Sequence, residues 1–156
     1  MRRIRTERRG GARLNGTARA AFTLPELAIV LAIVGVLLGL AIPTLVSAAD
    51  RAAVRAAVAD AAAVFVIARE SAVHARRAAA VHVDTAAGVI RAARGGEVLL
   101  SRDLRARHGV RIAATRDSMA YDARGLGIGA ANLSLVVRRG RVTDTLYVSR
   151  LGRIRW

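Results

Sequence analysis

Glu26 is the only carboxylate between Glu7 and Asp50, and it stands at the mouth of a run, Leu27 to Val46, that carries no charge. A carboxylate at the edge of an apolar phase is costly unless a cation pairs with it. Its chemistry is therefore ion pairing, the plainer alternative being an interfacial glutamate bound only to water and lipid. The cation is an arginine of the segment before it, or a free α-amino group if the chain is cut just before Phe22. At the other end of the chain, Arg138, Arg139, Arg141, Arg150, Arg153 and Arg155 fall within 19 residues that hold one acid, Asp144. Guanidinium groups grip phosphates bidentately, and Gly140 and Gly152 allow a backbone to come close. On a strand Arg153 and Arg155 point to one face, Ile154 and Trp156 to the other, and an exposed terminal Trp156 can stack on a base. The competing use of these arginines is a solvated sheet edge that discourages strand addition.

Little else carries chemistry. His74, His82 and His108 share no metal-ligand spacing with carboxylates, and surface histidines are expected. "GLGIGA" at 125–130 is spaced G-x-G-x-G and precedes a strand, so it reads as a flexible turn and not as a phosphate cradle. With no cysteine and no recognisable serine, histidine and acid motif, the sequence offers no case for an enzyme, a metal, a cofactor or a small-molecule substrate. The missing cysteines leave the redox compartment open.

The elements that must position these residues follow from charge and periodicity. All 26 basic residues of the 156 are arginine, and the net charge is +15. Such a balance suits an anionic neighbour such as phospholipid headgroups or nucleic acid; an arginine- and alanine-rich compositional bias is the plainer account. Residues 1–21 hold seven arginines and one acid, with Gly10, Gly11, Asn15 and Gly16 and almost nothing apolar. They read as a disordered basic leader. The 20 charge-free residues from Leu27 to Val46 reach about 30 Å as a helix, one bilayer core. This predicts a membrane-spanning helix with the arginine-rich side in the cytoplasm. A buried core helix, or a secretory signal cut after Ala49, is the alternative. Pro25 suits the first helical turn, and Glu26 there complements the helix dipole. Gly35 and Gly39 form a G-x-x-x-G pair that lets helices approach closely, and with Pro43 they make the helix easy to bend.

From Asp50 the helix continues. Val54, Val58, Ala61, Phe65, Ala68 and Ala72 recur at three- and four-residue steps as one apolar stripe. One helix is expected from Leu24 to Arg77, roughly 80 Å long. Beyond Ala78 short alternating runs take over: 81–84 and 88–92 as a hairpin, 109–114, 118–122, the hairpin 131–139 with 141–149, and a closing strand in "RIRW". The stretch 99–109 reads as a loop or a helical turn. The expected fold is α+β: one long N-terminal helix, its first half spanning a membrane, packed on a small C-terminal antiparallel sheet. The divisions are residues 1–21 (leader), 22–46 (membrane and assembly helix), 47–77 (soluble half of the helix) and 78–156 (sheet domain).

"AFTLPE" followed by the charge-free run resembles the signal of type IV prepilins and type II secretion pseudopilins. The tail, "MAYDARGLGIGAANLSLVV" with "TLYVSRLGRIRW", is similar to the GspH/FimT group of minor pseudopilins and minor pilins. The resemblance implies cleavage between Ala21 and Phe22 by a membrane prepilin peptidase; the family usually has glycine where this chain has Ala21. It implies N-methylation of Phe22, and a role for Glu26, the fifth mature residue, in pairing with the N-terminal amine of a neighbouring subunit. Pro43 falls where many pilins carry a kinking proline. It also implies a bacterial inner-membrane protein crossing once, with a cytoplasmic N-terminus and a periplasmic C-terminal domain, later built into a pilus or pseudopilus. Its partners would be other pilin or pseudopilin subunits, the peptidase and inner-membrane lipid. In the FimT branch the G-R-x-R tail is associated with DNA binding during uptake, which carries over to Gly152, Arg153 and Arg155, with Arg138, Arg139 and Arg141 as further basic residues.

Overall fold

The computed structural model describes residues 22–129 and 132–156. Residues 1–21, the expected basic leader with Ala21 of the expected cut, lie outside the described residues, as do Ala130 and Ala131 and the side chains of Ala41 and Pro43.

Helix α1 (Leu24–Ala75) starts on a sequence-coded cap. The Glu26 N–H donates to the Thr23 hydroxyl at 3.4 Å, and the Leu27 N–H to the Thr23 carbonyl at 3.1 Å. Thr23 is thus the N-cap, and Thr23-Leu24-Pro25-Glu26 has the threonine–glutamate spacing of a capping box. The helix stops two residues before the expected Arg77. Arg76 turns to φ 50°, its N–H bonds the Val73 carbonyl at 3.3 Å, and the Arg77 N–H returns to Ala72 at 3.2 Å. That closure satisfies the last carbonyls and redirects the chain.

The chain divides into two compact units, the first ending at Gly39 and the second running from Leu40 to Trp156. In the first, every described residue from Phe22 to Gly39 is exposed. By length and composition α1 is able to cross a membrane, and none of its most apolar window is buried.

The second unit holds the core. The expected stripe Val54, Val58, Ala61, Phe65, Ala68 and Ala72 is buried, joined by Ala57 and Val64. It packs against strand residues such as Val81, Ile90, Tyr121, Leu135 and Leu146. Two antiparallel sheets replace the single one expected. One has the order β3-β2-β1-β5-β6, from β1 (Ala79–Asp84), β2 (Val89–Arg94), β3 (Glu97–Asp103), β5 (Ser118–Tyr121) and β6 (Gly127–Ile128). The other has the order β4-β7-β8-β9, from β4 (Arg111–Ala114), β7 (Leu133–Arg139), β8 (Val142–Val148) and β9 (Ile154–Arg155). Alternation dictates which face of a strand is buried but not which strand it pairs with.

The stretch 99–109 divides into the end of β3 and the single-turn α2 (Leu104–His108). Asp103 caps α2 by accepting the Ala106 N–H at 2.8 Å, and Gly109 closes it at φ 64°. Strand β3 had a signal in the sequence. Gly95-Gly96, both at positive φ, form the two-residue turn that pairs Arg94 with Glu97. Part of "GLGIGA" is likewise ordered: Gly127 and Ile128 pair with β5 as β6, and the Gly127 N–H ties this sheet to the other through the Arg150 carbonyl at 2.8 Å.

Candidate functional site

In the first unit the residues singled out by sequence lie on an uncovered helix. Phe22 and Glu26 are exposed, and Glu26 forms no ion pair among the described residues. A Cβ added at Gly35 or at Gly39 would meet nothing within 4 Å. One turn apart, these two positions leave a flat strip on which another helix can lie closely. The helix assignment runs unbroken through position 43.

In the second unit the six C-terminal arginines do not form one patch. The β7–β8 turn lies beside Asp50: the Arg139 guanidinium is 2.9 Å from the Asp50 carboxylate, and the Gly140 backbone lies against the same group. Gly152 instead lies against Arg69. Nineteen residues of helix separate Asp50 from Arg69, about 28 Å. Arg138, Arg139 and Arg141 therefore mark one end of the domain and Arg150, Arg153 and Arg155 the other. The seven residues of β8 carry the chain between them.

At the far end, Arg69 threads between two glycines. Its Nε donates to the Gly125 carbonyl at 3.1 Å. A Cβ at Gly152 would stand 2.5 Å from that Nε, and φ is +73°. The sides of Gly152 and Gly140 that a ligand backbone would approach are thus filled by Arg69 and Asp50 of the chain itself. Beside Gly152, a groove of about 520 Å³ is lined by Asn132, Ser134, Tyr147, Leu151, Arg153 and Arg155 among others. Tyr147, Leu151 and Trp156 are exposed around this end, so cations and aromatic faces occur together. The loop below β5 is pinned by Asp122, whose carboxylate accepts the N–H groups of Leu126 at 2.9 Å and Arg124 at 2.8 Å. The Leu126 N–H bond does most to hold its carboxyl below the ordinary range; desolvation opposes it, and the Arg124 N–H, the Arg124 charge and the Gly125 N–H add to the lowering.

One cluster was not legible in sequence. His108 is half-buried and not a free surface histidine; its Nε2 is 2.8 Å from Asp60 Oδ2. Arg102 and Arg107 flank the same carboxylate at 3.7 and 3.8 Å. The Arg139 guanidinium also donates to the His108 carbonyl. Asp60, His108, Arg139 and Asp50 thus tie α1, α2 and β7 together. Helical spacing places Asp60 off the apolar stripe, but only the return of the chain 48 residues later brings His108 to it. Among the described residues no three His, Cys, Asp or Glu side chains converge as a metal site would require.

No protein-family model matches the sequence. No curated protein matches it either. The fold does find counterparts. It superposes on the type IV minor pilin FimU of Pseudomonas aeruginosa PAO1 with a TM-score of 0.57 and 18% identity, over 67% of this chain and 88% of that one. A second crystal form of FimU gives 0.53 and 17%, over 65% and 90%. With its long N-terminal helix packed on antiparallel sheets, the chain has the type IV pilin fold.

Proposed function

We propose that this protein is a non-enzymatic structural subunit, a GspH-like minor pseudopilin of a type II secretion pseudopilus. In this reading prepilin peptidase cuts between Ala21 and Phe22, Phe22 is N-methylated, and residues 22–46 hold the subunit in the bacterial inner membrane before it joins a filament. The observation that carries it is the pairing of a pilin fold with a capped helix whose apolar first half is exposed at every described residue. Soluble proteins rarely leave so long an apolar surface uncovered, and here lipid and then neighbouring helices would cover it. Glu26 sets the register, because a carboxylate entering that apolar bundle is tolerated only where a cation meets it. Gly35 and Gly39 allow the close approach.

The test is mass spectrometry of the chain produced together with a prepilin peptidase. A mature chain beginning at N-methylated Phe22 is expected. An intact Met1 or a start at Asp50 would overturn the filament reading.

A second reading, a FimT-like minor pilin that captures DNA, is favoured by the groove beside Arg153 and Arg155 with Tyr147 and Trp156 exposed nearby. Backbone phosphates and stacked bases suit that mixture. The full chain in detergent should then retard single-stranded DNA with a steep salt dependence, and replacing Arg153 and Arg155 by alanine should weaken it. Binding that ignores this change argues against DNA as the ligand of the groove.

A further inference from the structure

We infer that the arginine rim at the Asp50 end of the sheet domain docks on anionic phospholipid headgroups, holding the domain down on the bilayer before assembly. The inference rests on the reading that the apolar run crosses a membrane.

The geometry lies within the second unit. Its helix begins with exposed apolar side chains, Leu40, Ile42, Leu45 and Val46. Asp50 comes four residues later, about 6 Å along the axis. A bilayer core of about 30 Å lies within about 40–45 Å of membrane, so each headgroup layer is about 5–8 Å deep. If Val46 ends the apolar span, Asp50 lies at headgroup depth.

The domain reaches that depth through Arg139, which clasps Asp50. Its neighbours are unpaired cations. Arg111 and Arg138 face each other directly across β4 and β7, and both are exposed. Like charges opposite one another on a sheet repel. Arg141, the next exposed cation, follows in the turn. None of Arg111, Arg138 and Arg141 has a carboxylate partner among the described residues. Gly109, Arg111, Arg138, Arg139 and Gly140 line a hollow of about 440 Å³ there. Asp50 is already matched by Arg139, so the hollow presents net positive charge to whatever fills it. A phospholipid phosphate supplies the missing anion at the right depth.

The second set of arginines, about 28 Å further along the helix, lies beyond the screening length of about 8 Å at physiological salt and does not feel that surface. Nucleic acid is the less favoured partner at the rim, because the bilayer stands where a duplex would have to lie.

The chain has no cysteine. A single Thr143→Cys substitution on the exposed face of β8 therefore takes a fluorophore at one place. The full chain is inserted into vesicles of phosphatidylcholine, or of phosphatidylcholine with phosphatidylglycerol, each doped with a headgroup-nitroxide quencher. Quenching should be strong with phosphatidylglycerol and weak without it. Combining Arg111→Gln, Arg138→Gln and Arg141→Gln should abolish the difference. At about fivefold per arginine near an anionic surface, the docking equilibrium constant should fall about a hundredfold.

Equal quenching in the two lipids overturns the inference, and that comparison needs no arginine variant to fold. Release of the label from the surface by added duplex DNA assigns the rim to nucleic acid and overturns it too. Alkaline extraction separates the two levels of failure. A chain stripped from the vesicles defeats the spanning reading and the inference together, whereas a retained chain with equal quenching defeats the docking alone.

Discussion

Arg139 joins β7 to the helix through Asp50, Nε to Oδ1 at 2.9 Å, and the same guanidinium donates to the carbonyl of His108. One side chain thereby fastens the lower edge of a sheet and the end of α2 to the point where α1 leaves its apolar run. Asp50→Ala should lower the unfolding free energy by about 1–2 kcal/mol, a range discounted because the arginine is partly exposed. Denaturant titration of the full chain in detergent measures this. An unchanged midpoint would show that the pair contributes nothing.

Gly152 and Arg69 make a second, separable contact. Gly152→Ala forces a Cβ onto left-handed backbone, at about 1–2 kcal/mol, and pushes it into the Arg69 side chain. In an Arg69→Ala background only the backbone cost should remain. Equal costs in the two backgrounds would show that Arg69 does not fill that space.

Tyr121 is fully buried, and its hydroxyl has no hydrogen-bond partner among the described residues. Burial pushes its pKa from 10.0 up to about 12, with the Arg69 charge offsetting part of the rise. The folded chain therefore keeps this proton where the unfolded chain has lost it. The linked stability is complete below pH 10 and is lost as the pH rises toward 12, amounting to about 2–3 kcal/mol. Tyr121→Phe should be close to neutral at pH 7 and should flatten the alkaline loss, read from unfolding midpoints across that pH range. A Phe variant that loses stability as steeply as the parent would place the alkaline transition elsewhere.

Thr23 and Glu26 allow the capping and pairing roles to be separated. Thr23→Ala should cost about 1 kcal/mol and appear as faster amide exchange in the first turn of α1. Glu26→Gln keeps a side chain able to complete the capping box but removes the charge. If Glu26 pairs with a neighbour's amine, Glu26→Gln should prevent co-assembly with partner pilins, measured by cross-linking in membranes, while first-turn exchange stays near that of the parent. Normal cross-linking of the Gln variant would show that charge pairing does not drive assembly.

Much of the architecture was legible in the order of residue types. The charge-free run, the Val54 to Ala72 stripe and the hairpin across Gly140 each rest on local rules: burial of apolar side chains at helical spacing, and turns that need glycine. The Thr23 to Glu26 cap and the Gly95-Gly96 turn were equally local and equally readable. Their signals were a threonine–glutamate spacing and a glycine pair.

What local rules do not contain is distance through space. Six arginines within 19 residues of sequence read as one basic tail. In the fold β8 carries half of them to the far end of the domain, so that Arg139 meets Asp50 and Gly152 meets Arg69. The sharing of strands between two sheets, and the meeting of His108 with Asp60, have the same origin. Side-chain periodicity selects the face each segment buries, but the partner on that face comes from wherever the chain returns, and only the packed core selects among the possible returns.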